Sequence, residues 1–197
     1  MRLILVRHGQ TDYNLHHRYQ GQLDIPLNQT GLEQANKLVN RLSKDQIDAI
    51  YASDLARCVQ TIELVAKARK LDIQKDARWR ELSFGNWEGM SYQEIRSAFS
   101  ELLEKWQTDP ARVSPPNGET LDRLAERVKS ALDEINSKHA GQTVLLCTHN
   151  GPIRVLLCLA LNMDLNRYWQ FGISSASISE VSFYDDGAIV NLLNLVE

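Results

Sequence analysis

Three short stretches of this 197-residue chain carry side chains suited to handling an anion: Arg7-His8-Gly9 followed by Thr11 and Asn14, Ser53 with Arg57, and Thr148-His149-Asn150-Gly151. Two guanidiniums offer forked, permanently charged donors that match the equatorial oxygens of a phosphoryl group and favour the charge spread of its transition state. A histidine between such cations is pushed below its ordinary pKa of about 6.5, so the neutral ring is populated and a free ring nitrogen can attack phosphorus. His8, beside a glycine that permits close approach of backbone and ligand, is the candidate nucleophile. His149 is a candidate donor to phosphoryl oxygens. Asn150-Gly151, ahead of Pro152, set a helix N-terminus whose unpaired amides favour anions. Either histidine alone reads equally well as a structural residue, so the chemistry depends on all three stretches meeting.

Apolar runs show how they could meet. Leu3 to Val6 is a continuous run that breaks at Arg7, the pattern of a strand buried on both faces; Ile47 to Ala52 and Thr143 to Cys147 repeat it ahead of the other two stretches. Thr30-Gly31-Leu32-Glu33 has capping-box form and opens a helix with Leu32, Ala35, Leu38, Val39 and Leu42 on one face. Ser53 is placed to cap a helix carrying Val59, Ile62, Val65 and Ala66, and Pro152 suits the first position of another. Leu121, Leu124, Val128, Leu132 and Ile135 mark a strongly amphipathic helix, and Asp185-Asp186-Gly187 joins a closing hairpin. Strands alternating with helices predict an α/β three-layer sandwich with a mainly parallel sheet, in which ligands bind beyond the carboxyl ends of the strands. A single domain over 1–197 is expected, with a Trp-, Gly- and Pro-rich lid insertion over about 78–117.

Composition narrows the class. With 22 basic and 25 acidic residues the net charge is -3, which lacks the broad positive field of a nucleic-acid or membrane-surface binder. Cys58, Cys147 and Cys158 are odd in number within apolar runs and read as core filling in a reduced, cytoplasmic protein. No run approaches the roughly 20 apolar residues needed to span a bilayer. His16-His17 makes a poor metal site, because adjacent side chains diverge and no carboxylate or cysteine stands at ligand spacing. Cys147 to Arg154 looks superficially like a Cys-loop-Arg phosphate cradle, but its spacing fails by one residue and the cysteine belongs to the strand.

Leu5-Val6-Arg7-His8-Gly9-Gln10-Thr11 resembles the Arg-His-Gly motif of the histidine phosphatase superfamily, whose members include phosphoglycerate mutases. Further blocks follow in that family's order: Tyr19-Gln20-Gly21, Asp24-Ile25-Pro26-Leu27, Ala52 to Arg57 with Gln60-Thr61, Glu81 to Gly89, Asn117-Gly118-Glu119 and Thr148-His149. The resemblance implies His8 as a phosphorylated nucleophile, Arg7, Arg57 and His149 as the phosphate pocket, and Glu81 as proton donor. It further implies that Asn14 and Gln20 bond the phosphate, with Gly21, Asn150 and Gly151 also at the substrate. No metal or cofactor is implied, since the arginines do the charge neutralising that Mg²⁺ does elsewhere. Asn150 stands where a glycine is commoner, and Tyr13 where a tryptophan is.

Mutases run longer and follow the glutamate with a basic residue and a Tyr-Gly pair. Here Leu82-Ser83-Phe84-Gly85-Asn86-Trp87-Glu88-Gly89 instead resembles the small phosphatases, among them alpha-ribazole phosphatase and broad-specificity enzymes. A small-molecule phosphomonoester is therefore the expected partner. A cofactor-dependent phosphoglycerate mutase and a non-catalytic phosphate-binding module stay open as alternatives, as does a homodimer. Phe84, Trp87, Tyr92 and Trp106 read first as a small aromatic core beneath the lid, and second as contacts for a ring-bearing leaving group. Lys105 and Arg112 could meet a second acidic group, although lone basic residues in a lid usually face water.

Overall fold

The computed structural model of this chain describes residues 1–196. Six strands, β1 (Arg2–Arg7), β2 (Ala49–Ala52), β3 (Ile73–Lys75), β4 (Thr143–Thr148), β5 (Ile178–Tyr184) and β6 (Gly187–Leu195), form one sheet in the order β3-β2-β4-β1-β5-β6. β1, β4, β2 and β3 run parallel, and the β5–β6 hairpin continues the sheet antiparallel beside β1. The helices are α1 (Asp12–Leu15), α2 (Gln29–Arg41), α3 (Ala56–Arg69), α4 (Tyr92–Thr108), α5 (Leu121–Lys138) and α6 (Asn150–Ala160).

Side chains alternate across a strand, so a run that is apolar at every position serves two cores. Leu3 and Leu5 of β1, with Val144 and Leu146 of β4, pack under α5 and α6. Ile4, Val6, Leu145 and Cys147 pack under α2 and α3. The result is the expected three-layer α/β sandwich. All three cysteines are free and buried, and among the described residues no helix is long and apolar enough to cross a membrane.

Several local expectations are corrected. The cap of α2 is Asn28, whose side chain accepts from the Gly31 amide at 2.9 Å; Thr30 lies inside the first turn, and Leu32 is exposed. Ser53 does not cap α3, which starts after Leu55 without a side-chain cap. Instead Asp24 Oδ1 takes the Ala56 amide at 2.7 Å. Pro152 is the third residue of α6, still within the turn that needs no intrahelical donor. β3 is an unforeseen edge strand. The segment expected as a lid holds a 17-residue helix, α4, kinked at Phe99 where the backbone is non-helical. Trp87 and Trp106 are buried in the core with Trp79, whereas Tyr92 is exposed. Lys105 faces solvent, and exposed Arg112 meets Asp109 at 3.8 Å.

Candidate active site

Parallel register brings the chemistry together. Arg7 of β1 is paired with Thr148 of β4, and Ala52 of β2 with Cys147, so the residues that follow emerge side by side. The His8 amide donates to the Thr148 carbonyl at 3.0 Å, and the Ser53 amide to the Cys147 carbonyl at 3.0 Å. The rings of His8 and His149 consequently lie 5.1 Å apart, tilted by 60°. A cavity of about 310 Å³ opens over these strand ends, lined by Arg7, His8, Asn14, Gln20, Gly21, Arg57, Glu81 and Asn150, with His17, Arg18, Tyr19 and Phe84 around them.

His8 is 2% exposed. Its Nδ1 stands 2.7 Å from the Gly9 carbonyl oxygen, which can only accept, so Nδ1 carries the proton and Nε2 keeps its lone pair. Burial, followed by the charges of Arg57 and Arg7, holds the ring well below the usual histidine range and hence neutral. The Gly9 amide in turn donates to Thr61 Oγ1 at 2.9 Å, and that hydroxyl donates to the Arg57 carbonyl at 2.6 Å. A Cβ on Gly9 would stand 2.8 Å from the Gly31 carbonyl oxygen, so the neighbouring backbone of Gly31 requires a glycine here.

Arg57 is fully buried. Its terminal nitrogens donate to the carbonyls of Leu23 at 2.7 Å and Gly21 at 2.8 Å, and its Nε to His149 Nδ1 at 3.2 Å. The two terminal nitrogens carry four hydrogens, so donors remain for a ligand. Arg7 gives one terminal nitrogen to the Ile173 carbonyl at 2.6 Å, while its Nε is buried with no partner. Burial lowers Arg7 to about 10, which leaves it charged at neutral pH. An unpartnered buried cationic donor is costly unless an anion completes it. Asn14 Oδ1 accepts from both the amide and the hydroxyl of Thr11 at 3.1 Å, which frees the Asn14 amide hydrogens for an acceptor. Gln20 Oε1 and Asn150 Oδ1 are also buried without a partner.

Two expected ligand contacts have other duties. His149 is fully buried behind His8; its Nδ1 accepts from Arg57, so its Nε2 carries the proton and donates to Ser53 Oγ at 2.9 Å. Burial and neighbouring positive charge, Arg57 first, hold it neutral too. It thus orients a guanidinium and has no spare donor. The Gly151 amide, at the start of α6, donates to Glu81 Oε1 at 2.9 Å, and the Leu82 amide reaches the same oxygen at 2.9 Å. A Cβ on Gly151 would stand 2.3 Å from that oxygen. The Gly151 amide of the helix N-terminus is therefore taken by the chain's own carboxylate. His17 and Arg18 stand at the rim, Arg18 held by the Gly89 carbonyl at 2.6 Å and Glu94 at 3.1 Å.

The sequence reading missed the supports of this site. Arg127 sits on an amphipathic helix with no motif that announces it, Thr61 was quoted within a family block without a role yet takes the Gly9 amide, and Gly21 acts through its carbonyl.

The family model described as Histidine phosphatase superfamily (branch 1) matches residues 3–196. Phosphoserine phosphatase 1 of Hydrogenobacter thermophilus is 35% identical over 195 residues, 99% of this chain and 92% of that one. The Adenosylcobalamin/alpha-ribazole phosphatase of Escherichia coli is 28% identical over 194 residues, 98% of this chain and 96% of that one. Among solved structures, Bacillus stearothermophilus YhfR superposes with a TM-score of 0.93 at 30% identity, covering 100% of this chain and 98% of that one.

Proposed function

The chain belongs to the histidine phosphatase superfamily and is a phosphoric monoester hydrolase, and we propose that His8 is its nucleophile and small phosphomonoesters, phosphoserine and alpha-ribazole phosphate among them, its substrates. In this reading residues 1–197 act as one domain with the segment of about 78–117 as lid, in a cytoplasmic setting that fits three free, buried cysteines. The observation that carries it is the His8 tautomer: Nδ1 is fixed by the Gly9 carbonyl, and Nε2 has no protein partner among the described residues while it faces a cavity with two guanidiniums.

The steps follow. Arg7 and Arg57, with the free amide of Asn14, seat the phosphoryl group. His8 Nε2 attacks phosphorus, the ester oxygen leaves, and Glu81 protonates it. Water then attacks the phosphohistidine as Glu81 takes its proton, releasing phosphate and restoring His8. The guanidiniums bear the charge that builds on the equatorial oxygens.

Incubation with a panel of phosphomonoesters, phosphoserine, alpha-ribazole phosphate and 3-phosphoglycerate included, tests this. Phosphate release in EDTA, acid-labile phosphate trapped on His8 and complete loss of turnover in His8→Ala are expected. Retained turnover in that variant would end the assignment of His8. Isomerisation of phosphoglycerate with little phosphate released would point to a mutase.

A further inference from the structure

Glu81 lies on the stretch between β3 and α4, a segment short of regular structure, yet a proton donor works only where its oxygen meets the leaving group. Thr148 Oγ1 donates to the Trp79 carbonyl at 2.6 Å and Gln22 Nε2 to the Glu81 carbonyl at 3.2 Å, but the side chain that gathers most of that stretch comes from α5. Arg127 donates through one terminal nitrogen to the carbonyls of Arg78 and Arg80, both at 2.7 Å, and through the other to the carbonyl of Glu81 itself at 2.9 Å. Three carbonyl dipoles converging on one point repel each other unless a cation sits among them.

The guanidinium is aimed by Glu119, which takes its Nε at 2.7 Å and a terminal nitrogen at 2.8 Å in a bidentate pair, with side chains only 18% and 14% exposed. Glu119 also accepts the Ser83 amide at 3.2 Å, and its own amide donates to the Ser83 carbonyl at 2.9 Å. Backbone on both sides of Glu81, from residue 78 to residue 83, is thereby tied to one ion pair. The carboxylate end is fixed separately, by the amides of Gly151 and Leu82. Arg127 does not line the cavity, and its hydrogen bonds go to these carbonyls and to Glu119.

We propose that Arg127, anchored by Glu119, is a positioning residue for the proton-donating carboxylate of Glu81, setting how well the enzyme expels poor leaving groups. The proposal rests on Glu81 being that donor. A lysine cannot meet three carbonyls and a bidentate carboxylate at once, so Arg127→Lys keeps the charge and loses the geometry.

The test compares phenyl phosphate with p-nitrophenyl phosphate, whose leaving group barely needs a proton, for wild type, Glu81→Gln, Arg127→Lys and the double variant, each checked by thermal melt. Arg127→Lys should lower kcat/KM for phenyl phosphate about 10-fold or more and for the nitrophenyl ester less than about 3-fold. The double variant should lose no more than Glu81→Gln alone, within about 2-fold, because the two act through one group. Equal losses on both esters, or losses that multiply in the double variant, would overturn the proposal. If Glu81→Gln itself shows no leaving-group discrimination, the reading of Glu81 fails and this one with it; if only Arg127→Lys lacks it, the positioning role alone is wrong. Should Arg127→Lys not fold, Glu119→Gln loosens the same anchor, and the same discrimination decides.

Discussion

At the scale of single residues, charge and hydrogen-bond direction decide the roles. Arg7 and Arg57 are both in the cavity wall, but their partners differ, and so should their variants. Arg7→Ala removes one backbone contact and an unpartnered donor. We expect kcat/KM to fall at least about 10²-fold, as when one preorganised transition-state donor is lost, with the thermal midpoint nearly unchanged. Arg57→Ala should cost as much activity and also stability, because the carbonyls of Gly21 and Leu23 and the Nδ1 of His149 lose their donor inside the protein. Parallel kinetics and melts check both, and an unstable Arg7→Ala would break the distinction. These identities were legible in the sequence because Arg-His-Gly and the second histidine follow apolar strand runs. The division of labour was not: the spacing of His149 cannot say that Ser53 and Arg57 consume its two nitrogens.

At the scale of elements, two positions on α2 separate stability from function. Asn28→Ala removes the cap bond to the Gly31 amide and a side-chain bond to Gln10 Oε1 at 3.0 Å; because the Gln10 backbone is left in place, it should cost about 1 kcal/mol while leaving kcat/KM intact. Gly31→Ala is different. Its Cβ would stand 2.1 Å from the Gln10 carbonyl oxygen, and backbone on both sides leaves the clash nowhere to go except into the loop that follows His8. Overpacking of this kind costs about 1–3 kcal/mol, and turnover should fall with it. Urea midpoints and kinetics on both variants give the comparison; full activity in Gly31→Ala would show that the loop yields without moving His8. The capping box at Thr30 misled by two residues because Asn28 supplies an equally good oxygen earlier in the chain. β3 escaped notice for a plainer reason: Ile73-Gln74-Lys75 offers one apolar side chain and no alternation, and only the edge of β2 makes it a strand. The segment of about 78–117 was half legible. Its aromatics marked a small core, but α4, broken at Phe99, presents no unbroken helical period.

At the scale of the whole molecule, the two buried imidazoles tie stability to pH. Both His8 and His149 are held well below the usual histidine range by burial first and by arginine charge second. In the unfolded chain each takes up a proton near pH 6.5, whereas in the folded protein neither does until the pH is much lower. The unfolded state therefore binds more protons below pH 6.5, so stability is full above that value and declines as the pH drops. With two such groups the slope approaches about 2.7 kcal/mol per pH unit between pH 6 and 5. Asp54 and Glu180, whose carboxyls are lowered by their arginine partners, act in the same direction. Their window opens only below their ordinary values of 3.8 and 4.5, so it does not overlap. Urea unfolding at half-unit intervals should show nearly two protons taken up per molecule over pH 6 to 5, and His8→Asn should halve that number. A flat profile would mean that both rings also take up protons over pH 6 to 5 in the folded state, and a slope that His8→Asn leaves untouched would mean that the His8 ring does. In either case the neutral His8 ring on which the proposed phosphohistidine step depends would be depleted below about pH 6.5.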